Sequence, residues 1–311
     1  MANPAPTAQT NTEFEVRPVS THIGAEIHGL DISRPLEEAE RRAVWDALLT
    51  WKVVFFRDQK LDHQSQVAFC RQFGELTPAH VVFGGDEEFP EVYSVAKNRT
   101  ANSNRDSLVH RAWAGWHTDI TATHNPPAAS VLRGEIVPPY GGDTQWTNLA
   151  AAYRALSPTM QAFVDGLRGV HSFGQAATNN TKEYNDRVQA HRYVSEHPLV
   201  RVHPETGERV LFVSPSFLKS IVGLSPRESQ GVLELLWEHA VRPEFTARFK
   251  WEPGSVAMWD NRATSHLAPR DIFDTDFERQ FYRVTILGDV PVGVDGKPST
   301  SIEGTPVPSL G

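Results

Sequence analysis

The strongest constraint on how this chain folds is its rhythm. Short apolar runs are set off by turn residues, with no βαβ alternation and no glycine-rich nucleotide loop. Leu199–Val202 and Val210–Val213 flank His-Pro-Glu-Thr-Gly-Glu-Arg, the pattern of a hairpin with a Pro/Gly turn. Phe245–Trp251, Val256–Trp259 and Phe281–Leu287 read as further strands. So do Phe14–Val19, Ala25–Leu30 and the apolar run Val53–Phe56 near the start, and a strand is expected around Val92–Val95. Between them the period shifts to that of helices at Leu36–Trp51, His63–Phe73 (stopped by Gly74), Ser157–Gly169 and Ser225–Val241. An acidic first turn, Glu37 and Glu38, suits the helix dipole of the first of these, and Ser-Pro opens the last two. The chain is therefore expected to be mainly β with flanking helices, in an antiparallel architecture.

At 311 residues the chain can bury a large core without staples. Residues 1–12 read as a disordered tail and 13–311 as a single domain, with 81–114 expected to form an active-site lid because its pattern dissolves into glycine and polar residues. A net charge of -8 and the lack of a long basic run argue against nucleic acid and anionic membrane as partners. The one cysteine, Cys70, precludes an intrachain disulfide and a zinc site built on thiolates, and reads as a small buried hydrophobe. No signal-peptide pattern and no apolar run of about 18 residues is present, which points to the cytoplasm.

Three groups of residues carry chemistry. In Trp116-His117-Thr118-Asp119-Ile120 an extended backbone would turn His117 and Asp119 to one face, offering a nitrogen and a carboxylate side by side. Alone, that triplet fits a polar surface strand better than a metal site. Trp259-Asp260-Asn261-Arg262-Ala263-Thr264-Ser265-His266 supplies a histidine from a second element. Two histidines and one carboxylate would leave a face of an octahedral metal open, as Fe(II) oxygenases require. Arg279 and Arg283, four apart in an apolar strand, would be costly to bury without an anion, although Asp274, Asp276 and Glu278 stand near in sequence.

Taken in order, Trp-His-Thr-Asp, Pro-Pro-Ala-Ala-Ser (126–130), Gly-Gly-Asp-Thr (141–144), Trp-Asp-Asn-Arg-Ala-Thr-x-His (259–266) and Arg-x-x-x-Arg-x-Thr-Ile-Leu-Gly-Asp (279–289) resemble the taurine dioxygenase family. That family includes alkylsulfatase and aryloxyalkanoate dioxygenase relatives. Phe-Phe-Arg-Asp-Gln (55–59) and Phe-Gly-Glu-Leu (73–76) extend the resemblance, which runs from about residue 14 to residue 295. It implies a double-stranded β-helix (jelly roll) core and a homo-oligomer, either dimer or tetramer. It also implies Fe(II) on His117, Asp119 and His266, 2-oxoglutarate as co-substrate and O2. Thr144 and Arg279 match the holders of the distal carboxylate of 2-oxoglutarate. Arg283, His80 and Ile120 match positions around the head group of a small anionic substrate. Within the family that substrate is an organosulfonate of taurine catabolism or an alkyl sulfate ester, both belonging to sulfur metabolism, or else an aryloxyalkanoate or other carboxylate. Apart from the resemblance, a zinc hydrolase would use the same three ligands, and a binding protein could share the jelly roll. The hydrolase has no need of Thr144, Arg279 and Arg283 together, and the binding reading would be favoured only by an incomplete triad, whereas His117, Asp119 and His266 are all present. Val82, Phe83, Phe212 and Phe217 are candidates for an apolar wall suited to a longer chain than taurine's.

Overall fold

A computed structural model describes residues 14–81, 84–97, 111–173 and 182–310. Its largest sheet runs, edge to edge, through Glu15–Pro18, Ala25–His28, Val53–Phe56, Val256–Asp260, Ala129–Ile136, Gln280–Ile286 and Tyr93–Ala96. All its pairings are antiparallel save Ala25–Ile27 against Val54–Phe56. A three-stranded sheet (Thr246–Phe249, Thr144–Asn148, Thr264–Leu267) shares a core with it through Trp146, Ala247 and Phe249, and a four-stranded sheet is formed by Leu218–Ile221, Arg168–Phe173, Tyr193–Pro198 and Thr300–Glu303. The hairpin Val200–Val202 with Arg209–Leu211 forms as its Pro/Gly turn predicts.

The run Val53–Phe56 shows why the central strands carry no polar alternation. Successive side chains point to opposite faces. Val54 and Phe56 enter the cluster under helices Glu38–Trp51 and His63–Arg71, with Val44, Leu48, Phe69 and Cys70. Val53 and Phe55 enter a second core between the sheets, with Trp146, Phe249, Trp259 and Phe281. Both faces are covered, so both are apolar. Cys70 is fully buried, and its thiol is pushed up by that burial, in keeping with a structural role. A third core, around Leu149, Leu233, Leu236 and Trp237, seats helix Pro226–Ala240, whose N-terminus is closed by a Ser225–Glu228 capping box.

The strand expected around Val92–Val95 forms at Tyr93–Ala96, as the edge strand of the largest sheet, within the segment 81–114. Residues 98–110, like the expected tail 1–12, lie outside the described residues. The polar stretch from Glu183 contains helix Lys182–Ala190 and strand Tyr193–Pro198. Strands Ala129–Ile136, Thr144–Asn148 and Thr264–Leu267 lie in segments that periodicity alone did not mark. Among the described residues no helix is long and apolar enough to cross a membrane.

The turn joining Val256–Asp260 to Thr264–Leu267 is built on ions. Asp260, with no exposed surface, takes both Arg262 Nε and Nη2 at 2.9 Å and His203 Nε2 at 2.9 Å. Burial works to raise its pKa, and Arg262 and His203 overcome it to hold the carboxyl far below the usual range. Removing one partner of such a pair leaves a buried charge, which costs about 3–5 kcal/mol. Arg262→Ala is therefore expected to lower the unfolding free energy by about that amount. Chemical denaturation measures it, and a loss below about 1 kcal/mol would show that water or His203 replaces Arg262.

Candidate active site

His117 lies outside any strand. It forms an isolated antiparallel bridge with His266, exchanging His117 N–H to His266 O (2.9 Å) and His266 N–H to His117 O (2.7 Å). His266 sits within strand Thr264–Leu267, so that bridge sets the two imidazoles side by side, with ring centroids 4.2 Å apart. The chain then turns at Asp119, not along a continuing strand as the i, i+2 pattern would have it. Thr118 locks this step: its N–H donates to Ser214 Oγ (3.1 Å) and its hydroxyl to Thr264 O (2.7 Å). Ile120 follows with φ 42, an uncommon backbone for a β-branched residue.

The result is a compact donor set. Ligand atoms of His117, Asp119 and His266 all lie within 4.8 Å of one another. His117 Nδ1 lies 3.0 Å from Gly115 O, which holds its proton and leaves Nε2 for a ligand role. Burial depresses the pKa of His117, and Asp119 partly offsets this; His266 is depressed further, by burial and then by its neighbour His117. Burial raises Asp119, but Arg283, His266 and His117 outweigh it and hold the carboxyl at about 2. At neutral pH the set is thus two neutral imidazoles and a carboxylate, the states that divalent-metal ligation requires. The residues fit a first-row metal.

A cavity of about 600 Å³ opens on this set, walled by Tyr93, Val95, Phe217, Ile272 and Phe273. Phe217 is in the wall as expected. Phe212 is instead buried against His171 and His197, and Val82 and Phe83 lie outside the described residues. His80, Ile120, Arg279 and Arg283 all face the cavity. Thr144 is buried and is not among its lining residues.

The two arginines differ. Arg283 pairs with Asp119 Oδ1, lies 5.2 Å from the Tyr93 ring, and leaves a buried Nε unpartnered. Arg279 is buried, stacks 3.8 Å over Phe281 and donates through Nε to Gly142 O (3.1 Å). The acids expected to neutralise these arginines, Asp274, Asp276 and Glu278, do not. Asp143 and Asp271 are closer in effect, yet both bind Arg248. Among the described residues no carboxylate forms an ion pair with Arg279, and burial lowers its pKa to about 10. A buried guanidinium in that condition calls for an anion. Gly142 makes the approach possible: its φ is +67, and a Cβ there would stand 3.0 Å from Arg279 Cδ.

Residues 15–285 match the model of the "Taurine catabolism dioxygenase TauD, TfdA family". The chain belongs to that family. It is a 2-oxoglutarate-dependent dioxygenase with the jelly-roll core of its relatives. It is 40% identical to the alpha-ketoglutarate-dependent sulfate ester dioxygenase of Pseudomonas putida, over 94% of this chain and 95% of that protein. With the alkylsulfatase of Acinetobacter baylyi it shares 36% identity, over 91% of this chain and 88% of the relative. The crystal structure of a taurine dioxygenase from Burkholderia xenovorans superposes on this dioxygenase with a TM-score of 0.83 at 60% identity, covering 95% of this chain and 97% of that one.

Motif reading singled out His80, His117, Asp119, Ile120, Arg279 and Arg283 of the cavity wall and missed the residues that hold them. Thr118, Ser130 and Asn261 stand inside quoted motifs without an assigned role. Their signal was available: small polar residues amid apolar runs are buried only with partners.

Proposed function

We propose that this dioxygenase oxidises an alkyl sulfate ester, with Fe(II) held by His117, Asp119 and His266. The iron and O2 supply the oxidation, coupled to conversion of 2-oxoglutarate to succinate and CO2. The chain's own residues bind, orient and exclude water. Arg279, lacking a carboxylate partner, receives the distal carboxylate of 2-oxoglutarate, and the Thr144 hydroxyl assists. Because Thr144 Oγ1 already accepts Trp251 Nε1–H at 3.0 Å, its own hydrogen is free to donate. Arg283, His80 and the turn at Ile120 take the sulfate head, leaving the alkyl chain along Tyr93, Phe217 and Phe273. Hydroxylation at the carbon bearing the ester oxygen gives a hemiacetal sulfate. That product breaks its C–O bond to release sulfate and an aldehyde.

The observation that carries this reading is Arg279, a buried cation without an ion-pair partner among the described residues, beside a two-histidine, one-carboxylate set. The two named relatives, acting on sulfate esters by their names, favour that head group over a carboxylate. The test is succinate formed with hexyl sulfate, taurine and a phenoxypropionate, with released sulfate measured for the first. Succinate with phenoxypropionate alone would overturn the sulfate assignment. In the same assay Arg283→Ala is expected to raise KM for hexyl sulfate about tenfold or more while sparing uncoupled 2-oxoglutarate decay. Loss of 2-oxoglutarate binding in that variant would show the two arginines exchanged in role.

A further inference from the structure

One buried hydrogen-bond chain runs from the core to the carboxylate of Asp119. Trp259 Nε1 donates to Asn261 Oδ1 (2.9 Å), Asn261 Nδ2 donates to Ser130 Oγ (2.8 Å), and Ser130 Oγ donates to Asp119 Oδ2 (2.7 Å). All four side chains are buried, so water does not compete for these positions. The direction of the chain is dictated by chemistry. An indole N–H can only donate, so the Asn261 atom facing it must be oxygen. The amide's other end is then NH2 and must donate to Ser130. With one lone pair of Ser130 so engaged, its hydroxyl hydrogen goes to Asp119.

Backbone pairing holds the parts in line. Ser130 lies opposite Trp259 in the ladder between strands Ala129–Ile136 and Val256–Asp260, and opposite Thr285 on its other side. Asn261 N–H is tied to Ala128 O (2.9 Å). The two oxygens of Asp119 therefore differ. Oδ2 is capped by a hydroxyl that cannot turn away without leaving a buried donor unpaired. Oδ1 lies 4.0 Å from His266 Nε2 and carries the Arg283 contact.

We propose that Trp259, Asn261 and Ser130 are positioning residues which, through this one-way chain, restrict Asp119 to a metal through Oδ1 alone. A carboxylate engaging through both oxygens would occupy a position that 2-oxoglutarate and O2 need. The inference rests on the reading of His117, Asp119 and His266 as metal ligands, so the test separates the two.

The probe is Mn(II), with free ion read by electron paramagnetic resonance, followed by 2-oxoglutarate titration of the Mn(II)-saturated protein. Ser130→Ala is expected to weaken Mn(II) binding roughly 10- to 100-fold, the usual cost of losing an outer hydrogen bond to a ligand. It should also weaken 2-oxoglutarate binding at saturating Mn(II). Trp259→Phe keeps the aromatic ring in the core while deleting the indole N–H, freeing Asn261 to flip. It does not touch the metal, yet is expected to weaken Mn(II) binding several-fold. In the Trp259→Phe, Ser130→Ala double variant the loss should equal that of Ser130→Ala, because one chain is already broken. Unchanged Mn(II) affinity in Trp259→Phe, or additive losses in the double variant, would overturn the proposal. Should Ser130→Ala not fold, Trp259→Phe beside Ser130→Thr, which keeps the hydroxyl and should bind Mn(II) as the parent does, decides it alone. If His266→Ala also leaves Mn(II) affinity unchanged, the metal site itself has been misread, a different failure from that of the chain.

Discussion

Replacement of His266 by alanine is expected to abolish turnover and to lower metal affinity by more than the roughly 100-fold that losing an outer hydrogen bond costs. The reason is geometric. His266 is the proposed ligand contributed from across the fold, and its ring, beside His117 at 4.2 Å and Trp259 at 4.8 Å, is held with little freedom to be replaced by another donor. Its backbone bonds to His117 do not depend on the side chain, so the bridge that places His117 should survive the substitution. Direct titration with Mn(II) or Fe(II), alongside thermal unfolding to establish that the fold persists, measures the effect. Retention of metal affinity within tenfold in a folded variant would sink the assignment of His266 as a ligand.

Arg279→Ala should have the second largest effect, and a different signature. Truncating one partner of a buried charged contact costs about 2–5 kcal/mol, which corresponds to a loss of about 30-fold to several thousand-fold in binding. The loss should fall on 2-oxoglutarate and spare metal binding. Arg279→Lys is expected to recover only part of it, since an ammonium keeps the charge but lacks the fork that grips a carboxylate at two points. The measurement is the dissociation constant of 2-oxoglutarate on the Mn(II)-loaded protein. A change under threefold for Arg279→Ala would mean that the buried guanidinium serves the fold and not the co-substrate. A compensating rise in stability is not expected, because the aromatic face of Phe281 and the Gly142 carbonyl would both lose their partner.

Much of this is legible in the sequence. Strands whose apolar residues are contiguous, such as Val53–Phe56, and helices with marked ends, such as Pro226–Ala240 behind Ser225, announce themselves because burial and capping act locally. Strands Ala129–Ile136 and Thr144–Asn148 did not, since their Ser130, Arg133, Thr144, Thr147 and Asn148 are polar residues buried with tertiary partners. The tryptophan-led motif at 259–266 shows the same division within a few residues. Its His266 was readable as a ligand candidate. Asp260 and Arg262 proved to be an internal ion pair, and Asn261 a link toward Asp119.

The three residues proposed as metal ligands, His117, Asp119 and His266, were singled out by the ordered motifs of the sequence. The sequence also marked the mainly β class, and Arg279 and Arg283 as candidates for binding anions. Which atoms meet was decided by tertiary structure. The bridge between His117 and His266 joins residues far apart in the chain. Arg283 finds its carboxylate in Asp119 and not in the acids adjacent in sequence, while Asp143 and Asp271 bind Arg248 and, among the described residues, leave Arg279 without an ion pair. The physical reason is that a hydrogen bond or an ion pair depends on distances of a few ångströms across strands. Sequence spacing governs only which face of its own element a side chain takes.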